Sequence, residues 1–113
     1  MKTIVLGDIH GKPIWKEILE KEQDFDKVIF IGDYFDSRNN GYSAAMEKKN
    51  FLEICKLKNE QPDKVILLIG NHDYQYFDLT SHEKYTGYQY NYAFDFNIVL
   101  KENMNLLIVI SFM

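Results

Sequence analysis

The 113-residue chain is poor in the residues that mark several protein classes. It has one cysteine, Cys55, so no disulfide can form within it, and a reducing, cytoplasmic setting is the expectation. Cys55 falls among apolar positions at helical spacing and reads as a small buried hydrophobe. No apolar run approaches the about 20 residues that span a bilayer. Lys2 is followed by only a short apolar run before Gly7, too little for a secretory signal. Basic charge is not in excess: 13 Lys and Arg against 17 Asp and Glu leave a net charge of −4. That balance offers no general attraction for nucleic acid or an anionic membrane. Linkers, low-complexity segments and internal repeats are absent, and the length suits one domain spanning 1–113. Histidine is scarce, with only His10, His72 and His82.

What is present is one construction made three times. Thr3-Ile4-Val5-Leu6 runs into Gly7-Asp8-Ile9-His10-Gly11, Val28-Ile29-Phe30-Ile31 into Gly32-Asp33 with Asp36 following, and Val65-Ile66-Leu67-Leu68-Ile69 into Gly70-Asn71-His72-Asp73. Each is an apolar strand that ends in glycine followed at once by Asp or Asn. A single Asp-x-His after a strand is also what a polar turn with a hydrogen-bonded histidine looks like. Three such ends in a short chain are not expected by chance. In an extended segment, residues two apart point the same way, so Asp8 and His10 can reach one point. A carboxylate oxygen and a neutral imidazole suit a borderline divalent metal such as Mn, Fe, Ni or Zn. Gly7 and Gly11 are read as the residues that let the backbone turn there.

Between these ends the pattern is helical. Pro13 opens a first helix whose apolar face is Ile14, Trp15, Ile18 and Leu19. Ser43 is placed to cap a second, running to about Asn59, with Phe51, Leu52, Ile54 and Cys55 inward. The strand-end glycines are 25 and 38 residues apart, and each gap holds the helix and turns of a parallel crossover. The fold class is therefore α/β: a parallel sheet with flanking helices, its all-apolar strands predicting cover on both faces. The three polar turns then share the carboxyl edge, where open α/β sheets place ligands. From Tyr74 to Phe96 the chain is rich in aromatics. Alternation from Tyr88 suggests a strand, whereas Tyr88, Tyr92, Phe96 and Val99 also fit one helical face. The aromatics read either as core or as a wall beside the site. Leu106 to Phe112 has the length and branching of a last strand.

On one edge, Asp8 and His10 belong to one metal, Asp33 can bridge to a second, and Asn71 offers that second ion an amide oxygen. Two such ions, about 3.5–4 Å apart, acidify a shared water and clamp a transferring phosphoryl group, so no Ser or Cys nucleophile is needed. His72 is suited to donating a proton to the leaving oxygen, with Asp36 to fix its ring. Tyr34 and Phe35 read as packing, Asp73 as a helix cap, and His82 as a loop residue without a partner at metal-ligand spacing.

These residues resemble the first three motifs of the calcineurin-like metallophosphoesterase superfamily, and most of all its serine/threonine phosphoprotein phosphatase branch, including small bacterial and phage members. The likeness covers about residues 3–75. It implies part of a four-layer α/β sandwich, a dinuclear site often loaded with Mn, and hydrolysis of phosphomonoesters on proteins or small molecules. Carried over, Asp8 and His10 bind metal one, Asp33 bridges, Asn71 binds metal two and lies next to substrate, and His72 with Asp36 forms the acid pair. The branch usually has Arg directly after the Asp of its second motif. Here that place is Ser37, and Arg38, one further, is the candidate phosphate contact. The family completes both metals with later histidines, and this chain has only His82 left. The resemblance thus implies the N-terminal part of such a domain, with weak metal binding, an inactive remnant or binding module as the alternative, and a phosphodiesterase of the same superfamily as another. Half a sandwich also leaves apolar sheet surface uncovered, so self-association is expected.

Overall fold

A computed structural model of the protein describes residues 1–37, 41–80, 84–85 and 87–109. Strands β1 (Thr3–Leu6), β2 (Lys27–Phe30), β3 (Val65–Ile69) and β4 (Leu107–Val109) form a parallel sheet in the order β1-β2-β3-β4. Helices α1 (Ile14–Lys21), α2 (Ala44–Glu60), α3 (Asn71–Phe77) and α4 (Ala93–Glu102) connect them, with 3-10 turns at Tyr90–Tyr92 and Met104–Leu106. The α/β class, the parallel sheet and the flanking helices are as the sequence predicts.

The cover of the sheet differs from expectation. Parallel crossovers are right-handed. When strand order follows chain order without reversal, every crossover passes over the same face. Burial alternates accordingly. Leu6, Val28, Phe30, Val65 and Leu67 point into one cluster with Trp15, Phe51, Ile54, Phe96 and Leu100 from the helices. On the opposite face Val5 is 56% exposed and Ile108 52%, and Val5 pairs in register with Ile29, which pairs with Ile66. Among the described residues the sheet is covered on one side only.

Each helix forms for a local reason. The Ser43 hydroxyl accepts from the Met46 N–H at 3.2 Å and caps α2. Its buried stripe is Ala44, Glu47, Asn50, Phe51, Ile54 and Cys55; Leu52, expected inward, is exposed. In α1 only Trp15 is fully buried, and Ile14, expected on the apolar face, is 48% exposed. The Trp15 indole donates to Asn50 Oδ1 at 2.9 Å and meets Phe30 edge-on at 5.7 Å, pinning α1 to α2 and the sheet. The aromatic stretch resolves as a helical turn and α4 rather than a strand. Phe96 stacks on Phe35 at 4.3 Å and is core, whereas Tyr90 and Phe94 are exposed. The last apolar run begins as β4, and its residues from 110 on lie outside the described ones.

Candidate functional site

The loops after β1, β2 and β3 meet at the carboxyl edge and are tied by their backbones. The His10 N–H donates to the Asp33 carbonyl at 2.7 Å. The Asp73 carboxylate accepts from the N–H groups of Asp33 (2.6 Å), Tyr34 (2.7 Å) and Gly70 (3.0 Å). Asp73 therefore does more than the helix cap it looks like in sequence: it holds the second loop against the third. Burial pushes its carboxyl up to about 7, against the pull of the Gly70 and Tyr34 N–H groups. The only non-glycine residues at positive φ among those described are Asp8 (51°), His10 (43°), Asp33 (57°) and Asp36 (66°). Left-handed backbone is disfavoured for residues with a Cβ, and such strain concentrates at functional sites. The turn after β1 is thus made largely by Asp8 and His10 themselves. Gly11, at φ 80°, is a glycine that the turn requires, and Gly7 has no positive φ.

Ligand atoms of Asp8, His10 and Asp33 lie within 4.8 Å of one another. The buried His10 ring has Nδ1 2.6 Å from the Phe35 carbonyl oxygen. A carbonyl only accepts, so Nδ1 carries the proton and Nε2 presents a lone pair. That Nε2 stands 3.8 Å from Asp8 Oδ1, and the Asp8 side chain is 85% exposed. In the neutral ring two electron-rich atoms face each other, beside a second carboxylate. A divalent cation fits this donor set of two carboxylates and one imidazole. Asp33 Oδ1 also accepts the His72 N–H at 2.9 Å, which fixes its carboxylate. Asn71, exposed, is the first residue of α3, directly before His72.

His72 stands beside this cluster. Its ring meets that of His10 edge-on at 5.1 Å, and its Nδ1 lies 2.9 Å from Asp36 Oδ2. Asp36 is 1% exposed. Besides His72 it accepts from Gln75 Nε2 at 2.7 Å, from Gln89 Nε2 at 3.0 Å and from the Tyr76 hydroxyl. Burial first, and then the bond to Asp36, raises the Tyr76 hydroxyl far above its ordinary range, so it remains a donor. Ser37, where the phosphatase branch usually has arginine, is buried: its N–H donates to Glu47 Oε2 at 2.9 Å and its hydroxyl to the Tyr42 carbonyl at 2.8 Å. Arg38 and His82 lie outside the described residues. The Tyr85 ring sits 5.5 Å from that of His72, so the aromatic segment contributes both core and a residue next to the site.

Glu47, Gln75, Tyr76 and Gln89 join the site without being candidates from the sequence. Gln75 and Tyr76 lie three and four residues after His72, on one helical face. Glu47 shares the buried stripe of α2 with Asn50, Phe51 and Ile54. Both spacings are visible in sequence. Nothing in sequence marks Gln89.

The strand-end turns, the Asp-His-Asp cluster and the buried acid–imidazole pair together form a candidate metal site at the carboxyl edge of an α/β sheet. The profile of the calcineurin-like phosphoesterase family matches residues 1–111. The chain belongs to that family. No curated protein and no solved structure matches it. Among the described residues no helix is long and apolar enough to cross a membrane.

Proposed function

We propose that this chain serves the metal-dependent hydrolysis of phosphomonoesters, on phosphoproteins or small molecules, with divalent cations, Mn foremost, held by Asp8, His10, Asp33 and Asn71. The observation that carries the reading is the cluster itself: a carboxylate and an imidazole lone pair that face each other beside Asp33, within 4.8 Å. A bound pair of such cations supplies an acidified water and neutralises charge on the phosphoryl oxygens. Asp33, whose Oδ1 accepts the His72 N–H, would be the carboxylate shared by the two cations. His72 gives a proton to the departing oxygen. Its Nδ1 is engaged by Asp36, so the transferable proton is on Nε2, and the buried carboxylate stabilises the charged ring before transfer. The phosphatase-like branch of the family is the one favoured, on the Gly that follows His10. The acidic net charge disfavours a nucleic-acid diester as substrate.

The test is hydrolysis of an aryl phosphate monoester by the 113-residue chain, with Mn added or chelated. Turnover that needs the metal and is lost in Asp33→Asn supports the reading. Turnover indifferent to both overturns it. A preference for the bis-aryl diester moves the assignment to a phosphodiesterase. Metal bound without turnover supports a binding module.

A further inference from the structure

We infer that Gln89 is a positioning residue for His72: its side-chain amide bridges two buried carboxylates, Asp36 and Glu47, and so fixes the Asp36 oxygen against which the His72 ring is set. The inference rests on the reading above only in giving His72 a chemical role. The bridge itself is a matter of geometry.

Asp36, in the loop after β2, and Glu47, on α2, are each 1% exposed. Gln89 Nε2 lies 3.0 Å from Asp36 Oδ1 and 2.6 Å from Glu47 Oε1. An amide nitrogen carries two hydrogens pointing in different directions, enough for one to each carboxylate. The opposite orientation would set three acceptors together, so the acceptors themselves decide which end of the amide faces them. Glu47 also accepts the Asp36 N–H at 3.1 Å, on the same Oε1. The result is a closed ring: Asp36 backbone to Glu47, Glu47 to Gln89, Gln89 back to the Asp36 side chain. A second route joins the same residues. The Gln89 N–H donates to the Tyr76 hydroxyl at 2.8 Å, and that hydroxyl donates to Asp36 Oδ1. Residue 89 thus directs both donors that reach Oδ1. With Oδ1 pinned, Oδ2 is left turned to His72 Nδ1 and Gln75 Nε2.

The choice of a neutral amide follows from the charges. A lysine at this place would compete with His72 for Asp36, and a third carboxylate would repel both. Without the amide, Asp36 Oδ1 keeps only the Tyr76 hydroxyl and Glu47 Oε1 only the Asp36 N–H, and two buried carboxylates face each other with no donor between them, a costly arrangement that relaxes by rotation. Rotation of Asp36 removes the partner of His72 Nδ1.

The experiment uses the 113-residue chain and two measurements. In the unaltered chain the Gln89 side-chain amide protons should be protected from hydrogen exchange, and free exchange would overturn the proposal whether or not any variant folds. In Gln89→Leu, similar in size but without a donor and checked for folding by circular dichroism, the long-range proton–nitrogen spectrum of the imidazoles is recorded at one mildly alkaline pH. Wild-type His72, assigned with His72→Asn, should show a single Nδ1–H tautomer, and the variant a mixture. The proposal also expects kcat to fall about 10- to 100-fold, as when a partner orienting a functional imidazole is lost, with KM little changed. A folded Gln89→Leu that keeps the wild-type His72 spectrum overturns the proposal, even where its hydrolysis has dropped. Absence of metal-dependent hydrolysis in the unaltered chain defeats the phosphatase reading instead and leaves the spectroscopic arm to decide the bridge.

Discussion

Gly32→Ala tests the junction of the three loops most directly. Gly32 has φ +114°, outside what a residue with a Cβ adopts readily. A Cβ there would stand 2.2 Å from the Gly70 nitrogen, 2.8 Å from Gly70 Cα and 2.9 Å from the Ile69 carbonyl carbon. All three are backbone atoms at the end of β3, so no side chain can swing aside. To reach ordinary contact, the ends of β2 and β3 must separate by about an ångström, at the point where Asp73 ties Gly70 to Asp33. Backbone strain contributes about 1–3 kcal/mol and forced overpacking about as much again, for a loss of roughly 2–6 kcal/mol. Domains of this size are stable by only about 5–15 kcal/mol. Urea denaturation followed by far-UV circular dichroism should then show the midpoint lowered by about 1 M or more, given slopes of about 1–3 kcal/mol per molar. Gly7→Ala is the internal control. Its Cβ would meet only Ile31 Cδ1, at 3.7 Å, and stability should change by no more than about 0.5 kcal/mol. A Gly32→Ala midpoint within error of wild type, or a Gly7→Ala loss of equal size, would refute the reasoning.

Three other perturbations have defined outcomes. In Gly70→Ala the new Cβ would fall 2.3 Å from Asp33 Oδ1 and displace the carboxylate from the cluster, so Mn affinity measured by equilibrium dialysis should drop at least about tenfold; unchanged affinity would show that Asp33 does not hold the metal. Burial pushes the Asp73 carboxyl up to about 7 from about 3.9 when unfolded, so the folded state holds this proton more tightly than the unfolded state. Stability should therefore fall as pH rises from about 4 to about 7 and level off above, by at most about 4 kcal/mol. Urea midpoints in chelator at several pH values check this, and a slope in that window that is the same in Asp73→Asn would count against it. The open sheet face, with Val5 and Ile108 more than half exposed, should drive association; size-exclusion chromatography at micromolar concentration is expected to show oligomers that Val5→Lys reduces, and a sharp wild-type monomer peak would contradict it.

The sequence made the sheet and its edge legible because both rest on local chemistry. An all-apolar run ending in glycine followed by Asp or Asn names a strand end without help from the rest of the chain, and it does so at Leu6, Phe30 and Ile69. Periodicity likewise located α2 and its Ser43 cap. Where it failed, the deciding interaction joins distant residues. Gly7, Gly32 and Gly70 read alike, yet only Gly32 requires both its backbone conformation and its missing side chain, and the reason for the latter is Gly70 across the sheet. Asp73 reads as a cap because a cap needs only its own helix, while its bonds to Asp33 and Tyr34 span about 40 residues of chain. The one-sided sheet follows from strand order, which no single strand encodes. The surroundings of Asp36 show the same limit more sharply. Its partnership with His72 could be anticipated from two polar residues left over at neighbouring strand ends. Gln89, 53 residues away, lies in an aromatic stretch whose period fits strand and helix equally. Its bearing on the site appears only once two buried carboxylates, Asp36 and Glu47, are seen to share a donor.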